Sequence, residues 1–305
     1  MPRPRMARDY QDGITAASRS GLAEAMTTLG AYREALVLVG GWAPHLILEQ
    51  FGEPGLYGMG LYEAGLYGGR FVHVGSIDID LVVDPAIVDA EQYATIVGLL
   101  RDRGYEPAPE SLYQFQKTIR SPRDGQDYLI RVDILTPQPL RGEGRTHRHR
   151  TIQQDLRART LPGAEVAVTH CFRYELEARL PDEALARARF RVADLVATLA
   201  LKGMAIGDRY AEKDAYDIYA LCAHYRGGPP AVAEALRPYL DEDPVRRGLQ
   251  AIAERFRALD AEGPTWVATF LGEGDPERST RFRQDAFMTV QEVCRLLGVR
   301  GEISS

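Results

Sequence analysis

The sequence predicts an α/β protein of the α+β kind, with a mixed-sheet core followed by a C-terminal helical domain. Two observations carry this. Before Pro181, short β-branched apolar runs alternate with helical periodicity. From Arg191 onward the pattern is helical, broken at Gly207, Gly227-Gly228-Pro229-Pro230, Asp243-Pro244 and Gly263-Pro264. The change of pattern between Pro181 and Phe190 suggests two domains, 1–185 and 186–305.

Ile14 to Ala35 has the spacing of an amphipathic helix, and Leu36 to Val39 that of a short buried strand ended by Gly40-Gly41. Trp42 to Phe51 is expected to be helical, because Pro44 falls in a first turn where proline is tolerated. Gly-Leu-Tyr then occurs at Gly55, Gly60 and Gly65, a spacing that suits neither helix nor strand and suggests a loop. That loop is either a plain insertion or a tyrosine-bearing lid able to stack on a base. Phe71 to Val83 is strand-like, and Pro85 to Arg103 helical, closed by Gly104. Leu112 to Ile119 and Tyr128 to Leu135 should pair around the turn Ser121 to Gly125. Val166 to Tyr174 is expected to be a further strand.

The chain of 305 residues is 45% apolar and 26% charged, an ordinary globular mixture. No apolar run approaches the ~20 residues of a membrane helix, so no membrane role is expected. Met1 to Tyr10 is followed by no apolar stretch of the kind a secretory signal needs. Cys171, Cys222 and Cys294 lie far apart and match neither a disulfide framework nor zinc spacing, which suggests a reducing cytoplasm. The net charge of −6 argues against a protein that coats nucleic acid, but allows a local basic patch. Arg141 to Arg159 is such a stretch, with Arg145, Arg148 and Arg150 at its centre; it is either a phosphate-binding surface or a solvated loop.

The segment Gly75-Ser76-Ile77-Asp78-Ile79-Asp80-Leu81-Val82-Val83 suggests chemistry. On a strand, Ser76, Asp78 and Asp80 share one face while the apolar residues pack into the other. Aspartates two apart on a strand are separated by roughly 6.6 Å and can converge on metal ions. Like charges on a buried strand repel and lose hydration unless a cation joins them. The alternative is an exposed edge strand with polar alternation. Asp133, interrupting Ile130 to Leu135, would complete the set if its strand lies alongside; otherwise it pairs with an arginine such as Arg131. Hard oxygen ligands of this kind select Mg²⁺, with Mn²⁺ as the other candidate ion. Gly40-Gly41 before a helix offers bare amides to an anion, and Ser76 adds a hydroxyl. A phosphate placed on Ser76 would set about two negative charges beside those carboxylates.

Together, Gly40-Gly41-Trp42-Ala43 and Gly75-Ser76-Ile77-Asp78-Ile79-Asp80 resemble the signature of the polymerase-β nucleotidyltransferase superfamily. The nearer resemblance is to AbiEii/AbiGii-type toxins, including the MenT group. It is strengthened by Ala193 to Lys202 and by the run Arg209 to Leu221 with Lys213, Asp214 and Asp217. The resemblance implies a metal-dependent transferase of the EC 2.7.7 type, with an NTP as donor and Mg²⁺ as cofactor. It further implies a tRNA 3′ end as acceptor, a block of translation, and a cognate antitoxin as partner. Asp78, Asp80 and Asp133 would hold metal, and Gly40, Gly41, Gly75 and Ser76 would hold the triphosphate. Lys202 lies on the inward stripe of its helix, above Leu195 and beside Leu199, where a lysine needs an anion. That anion is either the triphosphate, or none if the side chain snorkels to solvent. Asp214 and Asp217 share a helix face and would orient Lys202 or Arg209; the alternative for either one is a plain surface ion pair. Two rivals remain: an aminoglycoside-type antibiotic nucleotidyltransferase, and a non-catalytic nucleotide-binding protein.

Overall fold

A computed structural model describes residues 6–10, 12–52, 73–88, 94–109, 111–138, 149–208, 212–272 and 274–301. The Gly-Leu-Tyr segment and residues 141–148 lie outside them. The chain divides into two compact units. A sheet unit comprises Gln11–Ala43 and Gly75–Asp194, and a helical unit comprises Met1–Tyr10, Pro44–Val74 and Leu195–Ser305. Among the described residues, no helix is long and apolar enough to cross a membrane.

The strands of the sheet unit are β1 (Leu36–Val39), β2 (Ile79–Val83), β3 (Glu106–Pro107), β4 (Gln114–Arg120), β5 (Asp127–Pro137), β6 (His149–Gln153), β7 (Leu156–Leu161), β8 (Cys171–Arg179) and β9 (Leu185–Ala193). They form one mixed sheet in the order β3-β4-β5-β2-β1-β9-β8. β2 runs antiparallel to β1 and parallel to β5. β4 pairs with β5 as far as Asp133, and β7 takes over from Leu135 to Pro137, so the β6–β7 hairpin begins where β4 leaves off. Helix α1 (Asp12–Thr28) covers the sheet. A Cβ on Gly21 would lie 2.8 Å from the Ile119 side chain, so glycine lets this helix approach β4. Lys117 on β4 bonds Glu24 of α1 at 2.7 Å.

Helix α2 (Trp42–Phe51) follows β1, α3 (Ile96–Asp102) precedes β3, and α4 (Glu165–Thr169) precedes β8. The helical unit adds α5 (Leu195–Asp208), α6 (Glu212–His224), α7 (Pro229–Leu236), α8 (Asp243–Arg255), α9 (Glu262–Gly272) and α10 (Pro276–Leu297). Helices α7, α8 and α10 carry proline in the first turn, where no backbone donor is lost. A Cβ on Gly203 would fall 2.2 Å from the Gly248 carbonyl oxygen, so α5 and α8 cross backbone against backbone.

Several boundaries differ from those expected. The first helix stops at Thr28 and passes through a 3₁₀ turn at Gly30–Tyr32 instead of reaching Ala35. Among the described residues of 71–83, β2 starts at Ile79: Gly75 sits at φ +77° and the Ser76 hydroxyl donates to the Asp78 carbonyl at 3.1 Å, which turns the chain. Asp78 therefore lies on the bend before the strand. Among the described residues of 85–103 only Ile96–Asp102 is helical, started by the Thr95 hydroxyl accepting from Gly98 N. Glu165–Thr169 is a helix, and the strand expected over Val166 to Tyr174 begins at Cys171. A short apolar run does not distinguish the two. Strand β9 extends the sheet to Ala193 through a segment where arginines alternate with apolar residues.

Candidate active site

The parallel register of β2 and β5 sets Asp80 directly beside Asp133. Neighbouring strands are about 4.8 Å apart, and partners in register share a face. Two aspartates thus stand in register on one face of this sheet, with the Asp80 carboxylate turned to Gly40 and the charge of Asp78 acting on Asp133. Burial raises the Asp133 carboxyl above the ordinary aspartate range. The Gln114 amide, donating at 2.7 Å, works against that rise, and the charge of Asp78 adds to it. Asp78 is drawn toward Arg131, whose guanidinium lies 3.9 Å from its carboxylate. Arg131 thus forms its ion pair with Asp78, while Asp133 takes its hydrogen bond from Gln114.

The glycine turn borders this pair. Val39 is the register partner of Asp80, so Gly40-Gly41 begins one residue beyond it. Gly40 holds φ +68°, and a Cβ there would lie 1.9 Å from Asp80 Oδ2. Only glycine allows both the left-handed turn and the approach of the carboxylate. The Ser18 hydroxyl of α1 donates to the Ile77 carbonyl at 2.8 Å and accepts from the Trp42 indole at 3.0 Å. One oxygen thereby ties the bend carrying Asp78 to the first residue of α2. Ser76 is buried, with its hydroxyl on the Asp78 carbonyl. Gly75 lies against Thr15 of α1, where a Cβ would come within 2.6 Å.

The residues expected on the helices meet one another inside the helical unit. The Lys202 ammonium bonds Asp214 at 2.6 Å and lies 2.7 Å from Asp217. Burial opposes its charge, but the two carboxylates outweigh burial and hold it above the usual lysine range. Asp217 also bonds Lys213 and accepts from His73 Nε2 at 2.9 Å. Burial would raise Asp217; Lys202, Lys213 and His73 hold it far below the carboxylate range instead. His73 is pushed down to about 3, chiefly by burial and then by Lys213. Lys202, Lys213, Asp214 and Asp217 thus form a buried, charge-balanced cluster. Of the arginines expected to bind RNA, Arg145 and Arg148 lie outside the described residues; Arg150 is half-buried on β6, opposite Ala158.

The model of the family described as "Nucleotidyl transferase AbiEii toxin, Type IV TA system" matches residues 69–289. The chain belongs to this family. As an AbiEii protein it is a nucleotidyltransferase-like toxin of a type IV toxin–antitoxin system, which implies a nucleotide substrate and an antitoxin partner. No curated protein matches it in sequence. The crystal structure of JHP933 from Helicobacter pylori resembles it with a TM-score of 0.43 at 12% identity, over 94% of each chain.

Among the described residues of this AbiEii chain, no three His, Cys, Asp or Glu side chains form a group that could hold a metal ion alone. Asp80 and Asp133 are the hard oxygen donors that the strand register brings nearest each other. Mg²⁺ is commonly held by one or two carboxylates, with water and substrate phosphates completing its shell. Sequence reasoning missed Gln114 and the Ser18 bridge, whose only signals are a polar residue opening a strand and a serine on a buried helix face.

Proposed function

We propose that this AbiEii protein transfers a nucleoside monophosphate from an NTP to the 3′ end of tRNA and so blocks translation. The observation that carries the reading is the side-by-side placement of Asp80 and Asp133 next to the Gly40-Gly41 turn. Asp80 and Asp133, with Asp78 at the edge, would hold Mg²⁺ or Mn²⁺. Such an ion, when bound, neutralises phosphate charge and acidifies a coordinated hydroxyl. The amides of the Gly40-Gly41 turn, at the start of α2, receive the triphosphate anion. The acceptor hydroxyl oxygen forms a bond to the α-phosphorus as the bond from the α-phosphorus to the bridging oxygen breaks, and pyrophosphate leaves. Asp133 takes the hydroxyl proton as the new bond forms.

The Lys202 ammonium, first expected on the triphosphate, is engaged by Asp214 and Asp217. Support for a polyanionic acceptor comes from Arg157 and Arg159, both exposed on β7. The test is a gel assay of labelled tRNA with each NTP and Mg²⁺. Asp80→Ala should abolish extension while the protein keeps its melting temperature. Transfer that survives in that variant ends the proposal. An aminoglycoside labelled in place of tRNA would establish the antibiotic-modifying rival instead.

A further inference from the structure

The sheet carries two aromatic side chains that the transfer chemistry leaves unused. Tyr113 lies just ahead of β4, and its carbonyl accepts from Ile134 N at 2.8 Å, which fixes it next to Asp133. Its ring stacks on His149 of β6, with centroids 5.5 Å apart and planes at 30°. The Arg159 guanidinium lies over the same ring at 5.9 Å. His149 and Arg159 are register partners, and Arg159 pairs with Leu135, two residues beyond Asp133 on the same strand face. The Arg159 charge also acts on Asp133. Both rings are half-exposed and Arg159 is exposed. Neither ring is buried, and the Arg159 cation lies over the tyrosine on the side of the strand that carries Asp133.

We propose that Tyr113, His149 and Arg159 form a platform on which one nucleobase stacks beside the Asp80–Asp133 pair. The proposal rests on the transferase reading for the identity of the neighbouring site. A base adds its π-face to the ring pair, and Arg159 meets the attached phosphate; this mode of binding tolerates any base. The base belongs either to the incoming NTP or to the acceptor's terminal nucleotide.

The experiment measures equilibrium binding to the full-length protein in Mg²⁺, with radiolabelled NTPs in one arm and fluorescein-labelled tRNA in the other. Tyr113→Ala should weaken binding in one arm by roughly ten- to hundredfold, the size of one lost stack. Tyr113→Phe, which keeps the ring, should bind as the parent does. Arg159→Gln should weaken the same arm and lower the slope of log affinity against log salt by about one if the ligand is tRNA. Loss confined to the NTP arm assigns the base to the donor; loss confined to tRNA assigns it to the acceptor. Unchanged binding in both arms for Arg159→Gln and for a folded Tyr113→Ala overturns the proposal, as does a parent protein that binds neither ligand. If Tyr113→Ala does not fold, the exposed Arg159→Gln decides alone. Transfer that survives Asp80→Ala would sink the transferase reading but leave these binding results standing.

Discussion

Asp133 in the sheet unit is half-buried and Asp217 in the helical unit fully so, yet their carboxyls move in opposite directions. Burial raises Asp133, with Asp78 adding to the rise, and the Gln114 hydrogen bond does not offset it. Burial would also raise Asp217, but Lys202, Lys213 and His73 hold it well below the usual range. The helical cluster carries its own counter-charges, so it is complete as it stands. On the sheet, two carboxylates share a register position, an arrangement that gains from an added cation. A compensated carboxylate signals architecture, and a strained one signals chemistry.

The sharpest break of this contrast is Asp217→Ala. It leaves Lys202, Lys213 and His73 buried around a missing charge and should cost about 3–5 kcal/mol in urea unfolding. Asp133→Asn should do the reverse, with transfer down by at least roughly a hundredfold and stability unchanged or higher by up to about 1 kcal/mol. A loss of stability comparable to that of Asp217→Ala would erase the distinction. Between these lies Gly40→Ala, which must adopt φ +68° with a Cβ against Asp80; it should cost about 1–2 kcal/mol and impair transfer as well.

The smallest effects are those of pH, and their signs oppose. The folded pKa of Asp133 is raised, so its contribution to stability is present below its unfolded value and is lost as pH rises through the folded value. That of Asp217 is lowered, so its contribution is present above the unfolded value and is lost only as pH falls toward its depressed one. His73, lowered to about 3, adds stability above the ordinary histidine value that is lost as pH falls through that point. Urea unfolding across an acid series should therefore show stability falling with pH, as the Asp217 and His73 contributions are lost; stability that rises as pH falls would remove the helical cluster as the dominant acid-sensitive element.

Much of the framework was legible because local signals agreed with tertiary ones. The glycine pair after Leu36–Val39, the run Ile79–Val83 and the paired strands β4 and β5 all appeared near their expected positions. The helix breaks at Gly227 to Pro230, Asp243-Pro244 and Gly263-Pro264 held because proline and glycine act on the backbone itself, whereas Gly207 lies inside α5. The sequence could not give the cross-strand register. No local pattern distinguishes Asp133 beside Asp80 from Asp133 one residue away, yet that single step would turn it to the other face. It also could not show that Lys202 finds Asp214 and Asp217, because helix periodicity says which way a lysine points but not what meets it. Strand β9 was hidden because Arg187, Arg189 and Arg191 alternate with Ala186, Ala188 and Phe190 next to a helical stretch.

Ser18 has a practical consequence. Its hydroxyl carries no charge and stands apart from the reacting groups, yet the indole of Trp42 and the carbonyl of Ile77 both depend on it. Replacing it with alanine removes two hydrogen bonds at once while leaving every acidic residue in place. Such a change should yield a heat-sensitive toxin, potent in cool cultures and harmless in warm ones, whose poisoning of the cell an experimenter could switch by thermostat.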